Sequence, residues 1–446
     1  MLRKDGVIAL TTTPRYNLAT LNPDEHSATT LPQHSKALLW TFVAAIIAIH
    51  VFFLWSVRSG IKRGDPDFTV FYTAASMLRH GLGHQLYDPR AQQLAQAEFT
   101  QNLDIRRGAL PYIHPPFEAL MFLPLTYFPY AQAFLLWNVL NLGMLFGMGD
   151  LLTRWLPSLQ RFSVVEFVLL SLAFFPVFAN FHQGQDAILL LLVVSLSFRA
   201  LGRDADSLAG CWLAFGLFKY HLILPLALIL VVWRGRKFFS GFAAISLAEL
   251  AISCALVGWR GVVQYPSYAW RVVSQPAFGG IPPRQMPNLL GLLGGWFSVG
   301  ASGWLLPGVV GGCSLALMIA VAGLRNLVFD KERLRLGLAC AVITALLVGY
   351  STNSYDLSLL IVPLAIIFKY SFRADSRQLF EKMALLLPVT PLLISPLWFF
   401  LWMGFQRINV MGFFLVWWVY AIRSELLRLK KSESKLHSGV RLEAHA

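Results

Sequence analysis

The chain has 446 residues, of which 56% are apolar, 14% aromatic and only 13% charged, against roughly 25% charged in a soluble domain. With a mean hydropathy of +0.58, this excludes a soluble globular enzyme, a disordered chain and a protein held by one anchor, because apolar residues run along nearly the whole length. Lys+Arg 37 against Asp+Glu 23 leaves a net charge of +14, which divides between loop charges that set membrane topology and cations kept for an anionic lipid substrate.

Residues 1–36 are polar and read as a cytoplasmic tail rather than a cleavable signal peptide. A spanning helix needs about 20 predominantly apolar residues. The first such run is 37–57, with Trp40 and Trp55 at interface-like positions. The mixed segment 58–129 follows as a first extracytoplasmic loop. Within it, 68–80 puts Phe68, Phe71, Tyr72, Ala75 and Leu78 on one helical face, and 89–100 repeats the pattern more weakly. Both predict helices lying on the membrane surface. Pro111-Tyr-Ile-His-Pro-Pro116 is a rigid turn into the next span.

Further spans are predicted at 130–152, 163–181, 185–201, 238–257, 301–324, 334–351, 355–370, 383–402 and 408–422, with 258–287 a second extracytoplasmic segment. Residues 208–233 are apolar but interrupted by Lys219, Tyr220 and His221. As one crossing they would invert every later loop. As two half-helices of about 11–13 residues, each too short to span at 1.5 Å per residue, they form a re-entrant hairpin. The array is then an all-α polytopic domain over 37–424, with about ten full crossings plus the hairpin. The Lys/Arg-rich loops 324–336 and 369–382 and the basic tail 425–446 are cytoplasmic. Cys211, Cys254, Cys313 and Cys340 lie in or beside apolar runs without metal-ligand spacing, and read as core residues.

Several polar groups stand out. Asp65-Pro-Asp67, just past the first span, reads either as a helix start, with Asp65 as N-cap, or as a general base at the bilayer surface. Its two carboxylates are weak evidence for a metal. Gly184-Gln185-Asp186 opens the 185–201 span, where it caps the helix or lines a site. A lysine at mid-depth costs about 2.5–3.5 kcal/mol on insertion scales. Lys219 with His221 therefore reads as a cationic contact for a lipid phosphate, the alternative being a side chain snorkelling from a shallow turn. Arg260, Arg271 and Arg284 suit bidentate phosphate recognition, either of a substrate or of anionic headgroups. His114 orients substrate or is structural, and Asp356 is a cap or a site residue. Asp204 and Asp206 read as solvated loop charges. Walker A, GxGxxG and HExxH patterns are absent from the sequence.

Asp67-Phe-Thr-Val-Phe-Tyr72, Ala74-Ala75, Gly81 or Gly83, and Leu86-Tyr87-Asp88-Pro89 resemble the first outer loop of glycosyltransferase family 87. Tyr112-Ile-His-Pro-Pro-Phe117 is similar to that family's Tyr-x-x-Pro-Pro-Phe turn, and Gly184-Gln185 to a Gly-Gln-Asn motif in which Asp186 replaces Asn. Lys219 is similar to a Lys-Pro position with Tyr220 in place of Pro, and Tyr355-Asp356-Leu resembles a late Tyr-Asp-Leu span. The resemblance covers residues 60–370. It implies a GT-C fold in a bacterial inner membrane and a polyprenyl-phosphate-linked sugar donor, mannose as in known members. It also implies a lipid or glycan acceptor and chemistry on the extracytoplasmic face; no cofactor is expected and no residue is assigned to a metal, with metal dependence left open. The family's catalytic aspartate carries over to Asp67, with Asp65 second. The remaining polar groups (Tyr72, His114, Gln185, Asp186, Lys219, His221, Arg260, Arg271, Arg284 and Asp356) are then expected to bind substrate. A transporter of lipid-linked sugars shares the spans and the mid-membrane cation, but needs no outer carboxylate. A polymerase or ligase of lipid-linked glycans differs in its acceptor.

Overall fold

The computed structural model describes residues 33–100, 110–156, 159–274, 282–294, 304–371, 390–393, 397 and 409–443. Among these, all regular structure is helical. The elements used below are α1 (Gln33–Ser56), α2 (Phe68–Arg79), α3 (Pro89–Ala97), α4 (Tyr130–Trp155), α5 (Val164–Ala173), α6 (Phe175–Gln183), α7 (Ala187–Leu201), α8 (Asp206–Ala214), α9 (Tyr220–Arg234), α10 (Arg236–Ser274), α11 (Leu305–Ala322), α12 (Lys331–Val348), α13 (Ile361–Ser371) and α14 (Val410–Glu443).

Among the described residues six helices are long and apolar enough to cross a membrane, or seven if α5 and α6, bent by 79°, form one span. The bend falls at Phe174, where Pro176 in the first turn of α6 lacks the N–H that would continue the ladder. Two predicted spans, α7 and Tyr355–Ile367, are shorter apolar helices. A third, α12, carries Lys331, Glu332, Arg333 and Arg335 in its first turns. The predicted 383–402 span lies almost wholly outside the described residues. α10 is two helices joined at Gly258, whose φ of +75° is open to glycine. A side chain there would also meet the His84 ring, whose Nδ1 lies 3.1 Å from the Val257 carbonyl. The break coincides with the predicted border between the 238–257 span and the second outer segment.

The bundle has two chemically distinct ends. α7 runs from Asp186 at one end to Gly202 at the other, where Trp155 of α4 packs on Gly202. At that second end Arg335 donates to the Trp155 carbonyl at 3.4 Å and Arg333 to the Leu429 carbonyl at 3.2 Å. Arg234, closing α9, pairs there with Asp206 at 2.6 Å and Asp204 at 3.0 Å. These two aspartates are thus ion-paired, not merely solvated. Asp206 opens α8 and Arg234 closes α9, so the two ends of residues 206–234 meet, but the second arm with its preceding turn, Leu217–Arg234, is itself one of the helices long enough to cross rather than a half-helix too short to span. The reversal lies at Phe215–Lys219, between helices of 9 and 15 residues rather than two equal halves. α8 can sit so close to α10 because Gly210 of α8 faces Phe238 and Phe242 while Gly241 of α10 faces Ser207: a Cβ on Gly241 would stand 1.9 Å from the Ser207 carbonyl oxygen.

The opposite end is capped by elements of the 58–129 segment. α2 is buried along nearly its whole length, from Phe68 to Met77. It is an internal strut rather than a helix lying on the membrane, because α4, α3 and the turns at 116–127 cover all its faces. Phe71 stacks on Phe122 with centroids 4.5 Å apart, and Phe68 meets Phe134 edge-on and Tyr130 at a tilt. α3 is capped by Asp88, whose Oδ1 accepts from the N–H groups of Arg90 and Ala91, with Pro89 in the first turn.

Candidate active site

The site is assembled from turns at the capped end. Gly184 ends α6 at φ +60°, a conformation that only glycine adopts without cost. No Cβ fits there, since Phe134 and Phe68 stand 2.8 Å from where it would be. Asn180 Oδ1 accepts from Ala187 N–H at 2.9 Å and so caps the start of α7. The turn Gly184-Gln185-Asp186 is thereby locked between two helices. The Gln185 carbonyl accepts from Trp137 Nε1 at 3.2 Å and Asn141 Nδ2 at 3.4 Å.

Lys219 lies at the reversal of the α8–α9 hairpin, only 2% exposed. Its Nζ is 2.9 Å from Asp186 Oδ1 and 3.1 Å from Asp356 Oδ1, ion pairs rather than well-aligned hydrogen bonds. A longer contact of 3.5 Å reaches Gln185 Oε1, and the ammonium stands 4.9 Å over the Tyr355 ring. Asp356 opens the Tyr355–Leu360 turn, and its Oδ2 accepts from Asn353 N–H at 2.8 Å. Asp186 and Asp356 are both fully buried. One ammonium thus answers two carboxylates, which is why the lysine tolerates its depth. Lys219 is thus paired with two carboxylates of the protein itself while its side chain also lines the cavity described below.

Asp67 sits at the N-terminus of α2 but makes no side-chain capping bond there. Its Oδ2 instead accepts from Gln185 Nε2 at 2.9 Å, and its own N–H donates to Gln183 Oε1 at 3.1 Å. Asp65 turns away to Arg63, 3.8 Å off, and lies against Gly60.

The proline-rich turn is braced by two glutamines of α3. Gln92 accepts from Tyr112 N–H at 2.9 Å, and Gln96 both donates to and accepts from Leu110. The Tyr87 and Tyr265 hydroxyls donate to the carbonyls of His114 and Ile113. His114 Nδ1 lies 2.9 Å from Glu118 Oε2. Burial pulls the imidazole down to about 4 and pushes the Glu118 carboxyl well above the usual carboxylate range. The close pair is accordingly neutral, a carboxylic acid against an uncharged imidazole. His114, Glu118 and Asp186 offer ligand atoms within 4.8 Å of one another, a set that can hold a metal ion. Lys219 already supplies positive charge on the Asp186 side, however, and a proton on Glu118 relieves the carboxyl contact equally well.

These groups surround a cavity of about 150 Å³. Asp67, Gln185 and Lys219 form one side, and Tyr220, His221, Tyr350 and Asn353 another; His114 closes it with Val272 and Val273 of the outer part of α10. The Tyr220 and Tyr350 hydroxyls touch. The structure therefore brings together Asp67, His114, Gln185, Lys219 and His221, with Asp186 and Asp356 behind the lysine. It does not bring in Tyr72, whose hydroxyl donates to the Phe128 carbonyl within the cap. Arg260, Arg271 and Arg284 are exposed and do not line the cavity. Glu118 and Gln183 escaped sequence reasoning, although a glutamate four residues after His114 in an apolar stretch was a usable signal.

A helical bundle of apolar spans with a charge-paired cavity at one end is a multi-pass membrane protein carrying a polar reaction or binding site. The sequence model of glycosyltransferase family 87 matches residues 112–349, just over half of the chain. The chain belongs to that family, and is a membrane glycosyltransferase. The match begins at Tyr112, so Asp67 lies before it, whereas His114, Gln185, Asp186 and Lys219 lie inside. No curated protein and no solved structure matches the chain.

Proposed function

We propose that the protein transfers a sugar, with mannose the first candidate, from a polyprenyl-phosphate donor to a hydroxyl of a lipid or glycan acceptor. The observation that carries this reading is Asp67, a carboxylate on the wall of the cavity, clamped by Gln183 and Gln185 rather than spent on capping its own helix. In the reaction Asp67 takes the acceptor hydroxyl proton as that oxygen attacks the anomeric carbon. The bond from the anomeric carbon to the phosphate oxygen breaks, and the electron pair leaves with the polyprenyl phosphate. Attack from the opposite face inverts the centre. Tyr220, His221, Tyr350 and Asn353 offer hydrogen bonds to sugar hydroxyls and phosphate oxygens in the cavity. Arg260, Arg271 and Arg284 meet lipid headgroups at the rim.

The chemistry lies on the extracytoplasmic face of a bacterial inner membrane. The arginines at the far end of the bundle (Arg234, Arg333 and Arg335) support this side assignment. Both termini are then cytoplasmic, about ten segments cross fully, and α8–α9 is a re-entrant hairpin entering from the cytoplasm.

The test supplies labelled polyprenyl-phosphate mannose and candidate lipid acceptors to membranes holding wild type, Asp67→Asn or Asp65→Asn. Asp67→Asn is expected to lose about 100-fold or more, the usual contribution of a general base. Near-normal transfer by Asp67→Asn, with loss in Asp65→Asn, would move the base to Asp65. Transfer from no polyprenyl-phosphate sugar would remove the donor class.

A further inference from the structure

We propose that Gln185, assisted by Gln183, is a positioning residue for the Asp67 carboxylate and not a substrate ligand. The inference rests on the reading of Asp67 as the base. A primary amide is ambiguous in orientation unless its partners settle it, and here they do. A carboxylate only accepts and an ammonium only donates. With Asp67 Oδ2 at 2.9 Å from Nε2 and Lys219 Nζ at 3.5 Å from Oε1, the amide has one consistent orientation, its NH2 directed at Asp67. Lys219 is in turn held by Asp186 and Asp356. Its position therefore passes through the amide to the base without any free charge entering the cavity.

The rest of the turn is built to hold that amide still. The Gln185 carbonyl is anchored from α4 by Trp137 and Asn141, independently of its side chain. Gly184 leaves no space for the turn to shift towards Phe68 and Phe134. Gln183, at the other side of Gly184, accepts from Asp67 N–H. One turn thus fixes both the backbone and the carboxylate of a residue 118 positions away in the chain. A base aimed in this way has fewer non-productive orientations when the acceptor hydroxyl arrives. At 3% exposure, Gln185 buries its polar atoms in these contacts.

The experiment uses the full-length protein in nanodiscs, labelled polyprenyl-phosphate mannose, and the variants Gln185→Met, Asp67→Asn and their combination. Methionine keeps the length and volume but removes the amide. The expected result for Gln185→Met is a fall in kcat of about tenfold or more, with KM for donor and acceptor within about twofold, the pattern of a lost transition-state interaction. On the Asp67→Asn background the same change should cost nothing further, since residues acting as one unit are not additive. A raised KM with unchanged kcat, or losses that multiply in the double variant, would overturn the proposal and return Gln185 to substrate binding. If Gln185→Met fails to fold, Gln183→Met takes its place with the same two expectations and the same overturning results. Full activity of Asp67→Asn would instead remove the base assignment, an outcome distinct from either.

Discussion

Lys219→Met removes one positive charge from a site where two fully buried carboxylates face it, at 2.9 and 3.1 Å. Methionine fills much the same volume, so packing changes little and the effect isolates the charge. Breaking a buried ion pair by deleting one partner costs about 3–5 kcal/mol, because the remaining charge is left in a poor solvent. Here two carboxylates are orphaned, which places the expected loss at the upper part of that range unless one of them takes up a proton. Unfolding in mixed micelles, followed through the 14 tryptophans, measures it directly. The combination Lys219→Met, Asp186→Asn, Asp356→Asn should recover most of the stability, since replacing a whole buried charge group is often nearly neutral. It should not recover transfer. If Lys219→Met stays within about 0.5 kcal/mol of wild type, the range of an ordinary surface change, and raises the donor KM instead, the lysine is a phosphate ligand and the counter-ion argument fails.

Two further predictions concern the turns around the cavity. Gly184→Ala should cost at least about 1–2 kcal/mol for the left-handed backbone alone, and more from the 2.8 Å approaches to Phe134 and Phe68; thermal unfolding and transfer should fall together, and an alanine variant of wild-type stability would refute the fit. For the His114–Glu118 pair, stability measured against pH should show two opposed slopes. Between 6.5 and about 4 the unfolded chain protonates His114 before the folded one does, so acidification destabilises. Above 4.5 the unfolded chain loses the Glu118 proton that the fold retains, so raising pH destabilises. From 4.5 to 6.5 the two offset each other in wild type. Glu118→Gln should leave stability rising with pH over that window, and His114→Asn should leave it falling; identical profiles for both variants would show that the pair is not held neutral.

Much of this molecule was open to reading from the chain alone, because hydropathy and turn chemistry are local. The apolar runs mark most of the helices, the border predicted between 257 and 258 falls at the break in α10, and the Lys219–His221 interruption lies beside the turn between α8 and α9. The ordered motifs from Asp67 to Tyr355-Asp356 pointed to the family that the match at 112–349 shows. What each polar group faces was not local. Asp186, Lys219 and Asp356 each looked like an isolated cap or ligand, and only the packing of α7, α9 and the Tyr355–Leu360 turn at one end of the bundle makes them a charge-balanced set. The same holds for the arginines expected to meet a phosphate: sequence places them in the second outer segment, but the helix from 259 to 274 turns Val272 and Val273 to the cavity and leaves Arg260 and Arg271 exposed. The amphipathic face of α2 suggested a surface helix, yet α2 is covered on all sides by elements that follow it in the chain. Composition determines that the chain enters the bilayer and roughly where. Which charges cancel and which carboxylate is aimed at the cavity depend on contacts across more than a hundred residues, and these exist only once the helices have packed.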